Sequence, residues 1–207
     1  MKLETTATRK YAGIKLEFRV PLTKKTVRLY AGAYNTPDQW ANGYSSRCKD
    51  GKYILFHDFD NLSEVDVVNE LRALQEMHKI GNYYVFKTDR DNSFHAVSLD
   101  KFSLAEAYSI QKTTSSDFAF IESVKRLATK EWVLRYGEKG SRGAPEYLQT
   151  IVSKHQGRKK SSAHADFLKA QFGIKIVGYN WDGLTELKLV DYTTCNRTES
   201  NNKRVKQ

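Results

Sequence analysis

The chain reads as an α+β fold in which one sheet carries several helices. Three observations lead there. YILFHDFD (53–60) is an apolar run of strand length, the segment after it switches to a helical period, and NYYVFKT with SFHAVSL then supply two further strand-like runs. Hydrophobic residues make up 40% and aromatics 12% of 207 residues, enough for one packed core of domain size. The expected division is a single domain over 1–195: a β-rich part to about 50, a catalytic core over about 51–150, and a C-terminal helix with strands over about 151–195. The polar tail 196–207 lacks apolar periodicity and reads as flexible.

Alternation in YAGIKLEFRV and TVRLYAGAY predicts an antiparallel hairpin turned at PLTKK. Lys49-Asp50-Gly51 is a turn signal, and YILFHDFD after it has the continuous apolar character of a central strand. Leu62, Val65, Val68, Leu71 and Leu74 then recur at helical spacing, with Asn61 or Ser63 as N-cap and a stop near Gly81. NYYVFKT and SFHAVSL read as strands joined by the polar turn DRDN. Ser103 with Glu106 forms a capping-box signature that opens a short helix, and a second helix is expected from Ser116 to about Lys130. EWVLRYG reads as a strand and APEYLQTIVSK as a helix with Pro145 in its first turn. SKHQGRKKSSAH reads as a loop or helix start. ADFLKAQFG follows as a helix stopped by Gly173, and IKIVGYN and TELKLVDY read as two strands joined by WDGL.

Thirty-four Lys and Arg against 24 Asp and Glu leave a formal charge of +10, which favours a polyanionic partner, nucleic acid first. Cys48 and Cys195 stand far apart and no Cys/His cluster has zinc-finger spacing, so neither a disulfide framework nor a structural zinc is indicated. The start MKLETTATRKY has no apolar signal region, and no apolar run approaches the ~18 residues of a membrane span. A cytoplasmic protein without a membrane partner is expected.

On a strand, side chains alternate faces, so Asp58 and Asp60 point the same way about 7 Å apart. Two carboxylates at the end of a buried strand can share Mg2+ or Mn2+, whose preferred ligands are oxygens and which commonly bring substrate phosphates with them. Ser93 and His95 share one face of SFHAVSL by the same period.

In this order, hydrophobic-DxD, helix, strand, polar turn and SxH, residues 53–99 resemble the archaeo-eukaryotic primase superfamily, in its plasmid- and virus-type replication proteins. The resemblance implies an RRM-like catalytic core, metal binding by Asp58 and Asp60, and binding of the incoming nucleotide's phosphates by His95 with Ser93. It implies a nucleotidyltransferase that makes primers on single-stranded DNA from nucleoside triphosphates for a mobile replicon, alongside a replicative helicase.

A third acid belongs to that pattern. Asp117 in TTSSDFAF is the candidate for a catalytic and metal-binding role, and Glu131 is the substitute; Asp117 reads equally as a helix N-cap. Arg135, Lys139 and Arg142 combine a strand-borne guanidinium with a glycine-rich cationic loop suited to triphosphate. Lys87 and Arg90, in the turn before SxH, could meet the same phosphates. The cations of GRKK (157–160) suit backbone tracking, and Tyr34, Trp40 and Tyr44 could stack on bases. The alternatives are a non-catalytic single-stranded DNA or origin-binding protein and, more weakly, an HUH-type initiator endonuclease, which the lack of any His-hydrophobe-His disfavours.

Overall fold

The computed structural model describes residues 2–8, 11–22, 25–35, 40–88, 92–126, 130–139 and 142–193, with the backbone alone in the first three strands. The α+β class expected from the sequence is what it contains: four helices with antiparallel sheets. By their contacts, Trp40–Tyr192 form one compact unit, and the strands before Trp40 belong to another.

In the first unit β1 (Lys2–Thr8), β2 (Tyr11–Leu22) and β3 (Lys25–Asn35) pair in that order. The expected hairpin is β2–β3, antiparallel with Val20 opposite Val27. The strand β1 was not anticipated; its Leu3 and Thr5 lie opposite Leu16 and Ile14.

In the second unit β5 (Tyr53–Asp60), α1 (Glu64–His78), β6 (Tyr83–Lys87) and β7 (Ser93–Phe102) form a split βαβ motif, with β7 antiparallel between β5 and β6. Addition of β9 (Glu146–Ile151) gives the order β5-β7-β6-β9. A second sheet has the order β10-β4-β8, from β4 (Trp40–Ser45), β8 (Val133–Lys139) and β10 (Leu189–Thr193). Phe56 meets the Tyr44 ring at 4.9 Å, edge to face, and Phe86 meets Phe172 at 4.6 Å, so the β5–β7–β6 face that carries them packs against β4 and against α4 (Ser162–Phe172). Two short helices complete the unit, α2 (Leu104–Gln111) and α3 (Phe118–Arg126). Among the described residues no helix is long and apolar enough to cross a membrane.

Local signals account for most termini. Ser63 caps α1 by accepting from the Asp66 N–H, Ser103 and Glu106 complete the capping box of α2, and Gly173 ends α4 in the left-handed region at φ 66°. The helix α1 stops at Lys79, itself left-handed, two residues before the expected Gly81. Gly81 has another use. A side chain there would press within 3.1 Å of the Asp100 carboxylate that its N–H reaches at 2.6 Å.

Four expectations change. The helix expected over APEYLQTIVSK is the strand β9: its aromatic and β-branched residues complete the open edge of β6, with Phe86 opposite Tyr147 and Tyr83 opposite Ile151. Pro145 stands just before the strand, where its missing N–H breaks no ladder bond. IKIVGYN has the burial alternation of a strand, Ile174 and Ile176 in and Lys175 and Val177 out, but finds no partner edge and runs as coil; only the end of TELKLVDY is a strand, β10. α3 is shorter than Ser116–Lys130. Lastly, β5 pairs only with β7 in its sheet, so it is not central. Its outer edge is covered instead: Ile54 N–H donates to Ser46 C=O at 2.9 Å, and Asp117 N–H donates to Asp58 C=O at 2.7 Å. Coverage on that edge explains the uninterrupted apolar run. The DRDN turn and the tail from residue 196 fall largely or wholly outside the described residues.

Candidate active site

Antiparallel register decides which side chains share a face. Asp58 lies opposite His95 and Asp60 opposite Ser93, so all four project from one face of the β5–β7 pair. That face forms one wall of a cavity of about 230 Å³, whose lining includes Asp58, Asp60, His95, Thr88 and Asp117. The opposite wall comes from β8 and the hairpin after it, with Val133, Leu134, Arg135, Lys139 and Arg142. Asp58, Asp60, His95, Asp117, Arg135, Lys139 and Arg142, singled out in the sequence, are thus brought together by four separate stretches of chain.

Each is held from behind. The Ser93 hydroxyl donates to Asp60 Oδ1 at 2.8 Å, which orients that carboxylate and puts Ser93 beside an acid. His95 Nε2 lies 3.6 Å from Asp58 Oδ1, in contact but beyond a hydrogen bond. Burial, and secondarily the Arg135 guanidinium, push the His95 pKa down to about 3, so the imidazole is neutral at physiological pH. Arg135 donates to the carbonyls of Gly137 and Gly143, which brings its loop back on itself. Lys139 and Arg142 exchange both backbone bonds, at 2.9 and 3.0 Å, so the two cations project from a closed hairpin.

Asp117 answers to both of its readings. Its Oδ1 caps α3 by accepting from Ala119 N–H at 3.0 Å, and its own N–H secures the β5 edge at Asp58. Behind it, buried His57 has Ser116 Oγ and Tyr83 Oη each 3.3 Å from a ring nitrogen, and burial alone pushes its pKa down to about 3. The interior thus ties the Ser116–Asp117 strap to β5 on the face opposite Asp58.

Other candidates lie elsewhere. Glu131 is buried, accepts from Ser45 Oγ at 2.8 Å, pairs with Lys188 and is absent from the cavity lining. Lys87 lies opposite Phe94, on the other sheet face, and is exposed; its neighbour Thr88 takes the cavity position. Lys160 is internal, 3.2 Å from Asp100 Oδ1, and so does not track a backbone. Tyr44 is core. Arg90 and the side chains of Tyr34 and Trp40 fall outside what is described. Thr88 was missed by one residue, although the period-2 rule applied to β6 selects it.

Among the described residues no group of three or more His, Cys, Asp or Glu side chains is placed to hold a metal ion. Two carboxylates on one face, partly open to solvent, still fit magnesium or manganese, which take one or two protein carboxylates and complete their shell with water and phosphate oxygens. The chemistry available is therefore a divalent cation on Asp58 and Asp60 facing a cationic hairpin that can receive phosphates. No protein-family model matches the chain, and neither curated proteins nor solved structures provide a match.

Proposed function

We propose that this cavity is the catalytic centre of a primase-polymerase-type nucleotidyltransferase that extends primers on single-stranded DNA with nucleoside triphosphates, using Mg2+ or Mn2+. The observation that carries the reading is that paired acids, a neutral histidine and a cationic hairpin face one another across a space of about 230 Å³. The order of the hydrophobic-DxD and SxH motifs and the split βαβ between them support it. The same resemblance makes a mobile replicon and its helicase the setting to test.

In this reading Asp58 and Asp60 hold the divalent cations, with Asp117 as a third carboxylate at the cavity wall. A divalent cation held by these carboxylates would lower the pKa of the attacking 3′-hydroxyl and neutralise charge on the leaving pyrophosphate. Lys139 and Arg142 receive the β- and γ-phosphates. Neutral His95 donates an N–H to a phosphate oxygen. The 3′-hydroxyl gives its proton to water as its oxygen bonds to the α-phosphorus, the bond from that phosphorus to the bridging oxygen breaks, and pyrophosphate departs.

Incorporation of labelled nucleotides on primed and unprimed single-stranded DNA with manganese tests the proposal. Asp58→Ala and Asp60→Ala should abolish it; equal incorporation by both variants would overturn it. A second reading is a single-stranded DNA-binding protein without chemistry, which the excess of cations along the chain also suits. Metal-independent binding of single-stranded DNA with no incorporation by the wild type would select that reading.

A further inference from the structure

The cavity has the size for phosphates and cations and is smaller than a pocket that encloses a nucleoside. Pockets that enclose a small organic ligand run to roughly 300–1,000 Å³, and this one is about 230 Å³, with Val133 and Leu134 its apolar lining and no aromatic ring among the described residues of its walls. A nucleobase attached to phosphates seated there must lie outside, at the rim. Next in the chain to the lining residue Asp117 stands an exposed aromatic side chain. Phe118 is 70% exposed, more than any other aromatic side chain among the described residues, while Ile121 and Val124 of the same helix are buried. Its Cα follows that of Asp117, a cavity-lining residue, by the ~3.8 Å of one trans peptide.

We infer that Phe118 is a base-stacking subsite that receives the nucleobase of the nucleotide whose phosphates occupy the cavity. The inference rests on the nucleotide reading of the cavity and adds the place of the base. The base is planar and apolar on its faces, and an aromatic ring accepts it with little regard to sequence. The anchoring of Phe118 suits that use: the preceding residue, Asp117, is bonded through its N–H to Asp58 C=O at 2.7 Å and caps the helix by accepting from Ala119 N–H.

The test compares ATP with inorganic tripolyphosphate, both with manganese, by calorimetry on wild type and Phe118→Ala. Expected is roughly tenfold or more tighter binding of ATP than of tripolyphosphate to the wild type, the factor of one base–aromatic stack. Phe118→Ala should remove that preference and leave tripolyphosphate binding and the thermal midpoint unchanged, since the ring is exposed. Phe118→Trp should retain the preference and show fluorescence quenching on adding ATP. Equal affinity of the wild type for the two ligands, or a preference that survives Phe118→Ala, overturns the subsite and leaves the phosphate cavity standing. Binding of neither ligand to the wild type overturns both.

Discussion

Around Lys101 the charges close on one another. Its ammonium lies 2.6 Å from Asp50 and 2.5 Å from Asp182, Lys160 lies 3.2 Å from Asp100, and the second Asp100 oxygen accepts the Gly81 N–H at 2.6 Å. The side chains of Lys101, Asp182, Lys160 and Asp100 are almost wholly buried. Around Asp58 a similar number of opposite charges is arranged instead on the two walls of a cavity, acids on β5 and its strap, cations on the β8 hairpin. The first cluster supports the fold, whereas on the proposed reading the charges that line the cavity serve a ligand. Burial raises the pKa of Asp50 and Asp182, yet the Lys101 bonds prevail and hold both below the ordinary carboxylate range.

The largest expected separation between the two clusters is in activity. Asp58→Asn or Asp60→Asn should lower nucleotide incorporation by more than about 100-fold, beyond the 10–100-fold typical of outer-shell changes, with the thermal midpoint unchanged or raised because like charges are relieved. A fall in midpoint with activity per folded molecule retained would place these acids in the structural class. Lys101→Met should do the converse. It leaves Asp182 buried without its cation, which costs about 3–5 kcal/mol, or a drop of roughly 10 °C in a unit of this size. Activity per folded molecule should persist.

How far each cluster can be read from the sequence differs for the same reason. The parity of Asp58 with Asp60 and of Ser93 with His95 is local, and β5, α1, β6 and β7 follow one another with clear turns and caps, so that half of the site is legible. Choosing Asp117 over Glu131 required knowing that the Asp117 N–H reaches Asp58 C=O across 59 residues of chain, a backbone bond with no sequence mark. Lys87 has the charge to meet phosphates, but its exposed side chain lies on the other face of the strand from Thr88, which lines the cavity. The structural cluster was hidden altogether: Lys160 stands in GRKK and looks solvated, yet Asp100 draws it inward. The strand β9 likewise owes its state to the edge of β6, and 174–180 lacks a strand for want of one.

Ser93, behind Asp60, offers a finer division at the cavity wall. Its hydroxyl donates to Asp60 Oδ1 at 2.8 Å, although the motif resemblance implies contact with the nucleotide. Ser93→Ala should raise the manganese concentration for half-maximal incorporation by about 10-fold, the lower end of outer-shell effects, with the nucleotide KM little changed. A rise in KM at unchanged metal requirement would return Ser93 to the nucleotide.

A further effect on the structural side is read by pH. His164 is buried beside the Lys101 cluster; its Nε2–H donates to Ser45 C=O at 2.8 Å, and its Nδ1 accepts from Ser161 Oγ at 2.7 Å. Burial pushes its pKa down to about 4, with Lys101 adding in the same direction and the Ser45 bond and Asp182 opposing. The folded chain therefore keeps a neutral ring where the unfolded chain, titrating near 6.5, has taken a proton. Stability from this group is complete above about pH 6.5, declines as pH falls toward 4, and changes no further below that. The slope in between is up to about 1.4 kcal/mol per pH unit for one proton. Urea unfolding from pH 7 to pH 4 should show it, and His164→Gln, whose amide can still donate to Ser45, should flatten the curve by about one proton. An unchanged slope in that variant would mean that His164 is already protonated in the folded state at pH 6, and that its two hydrogen bonds are arranged differently.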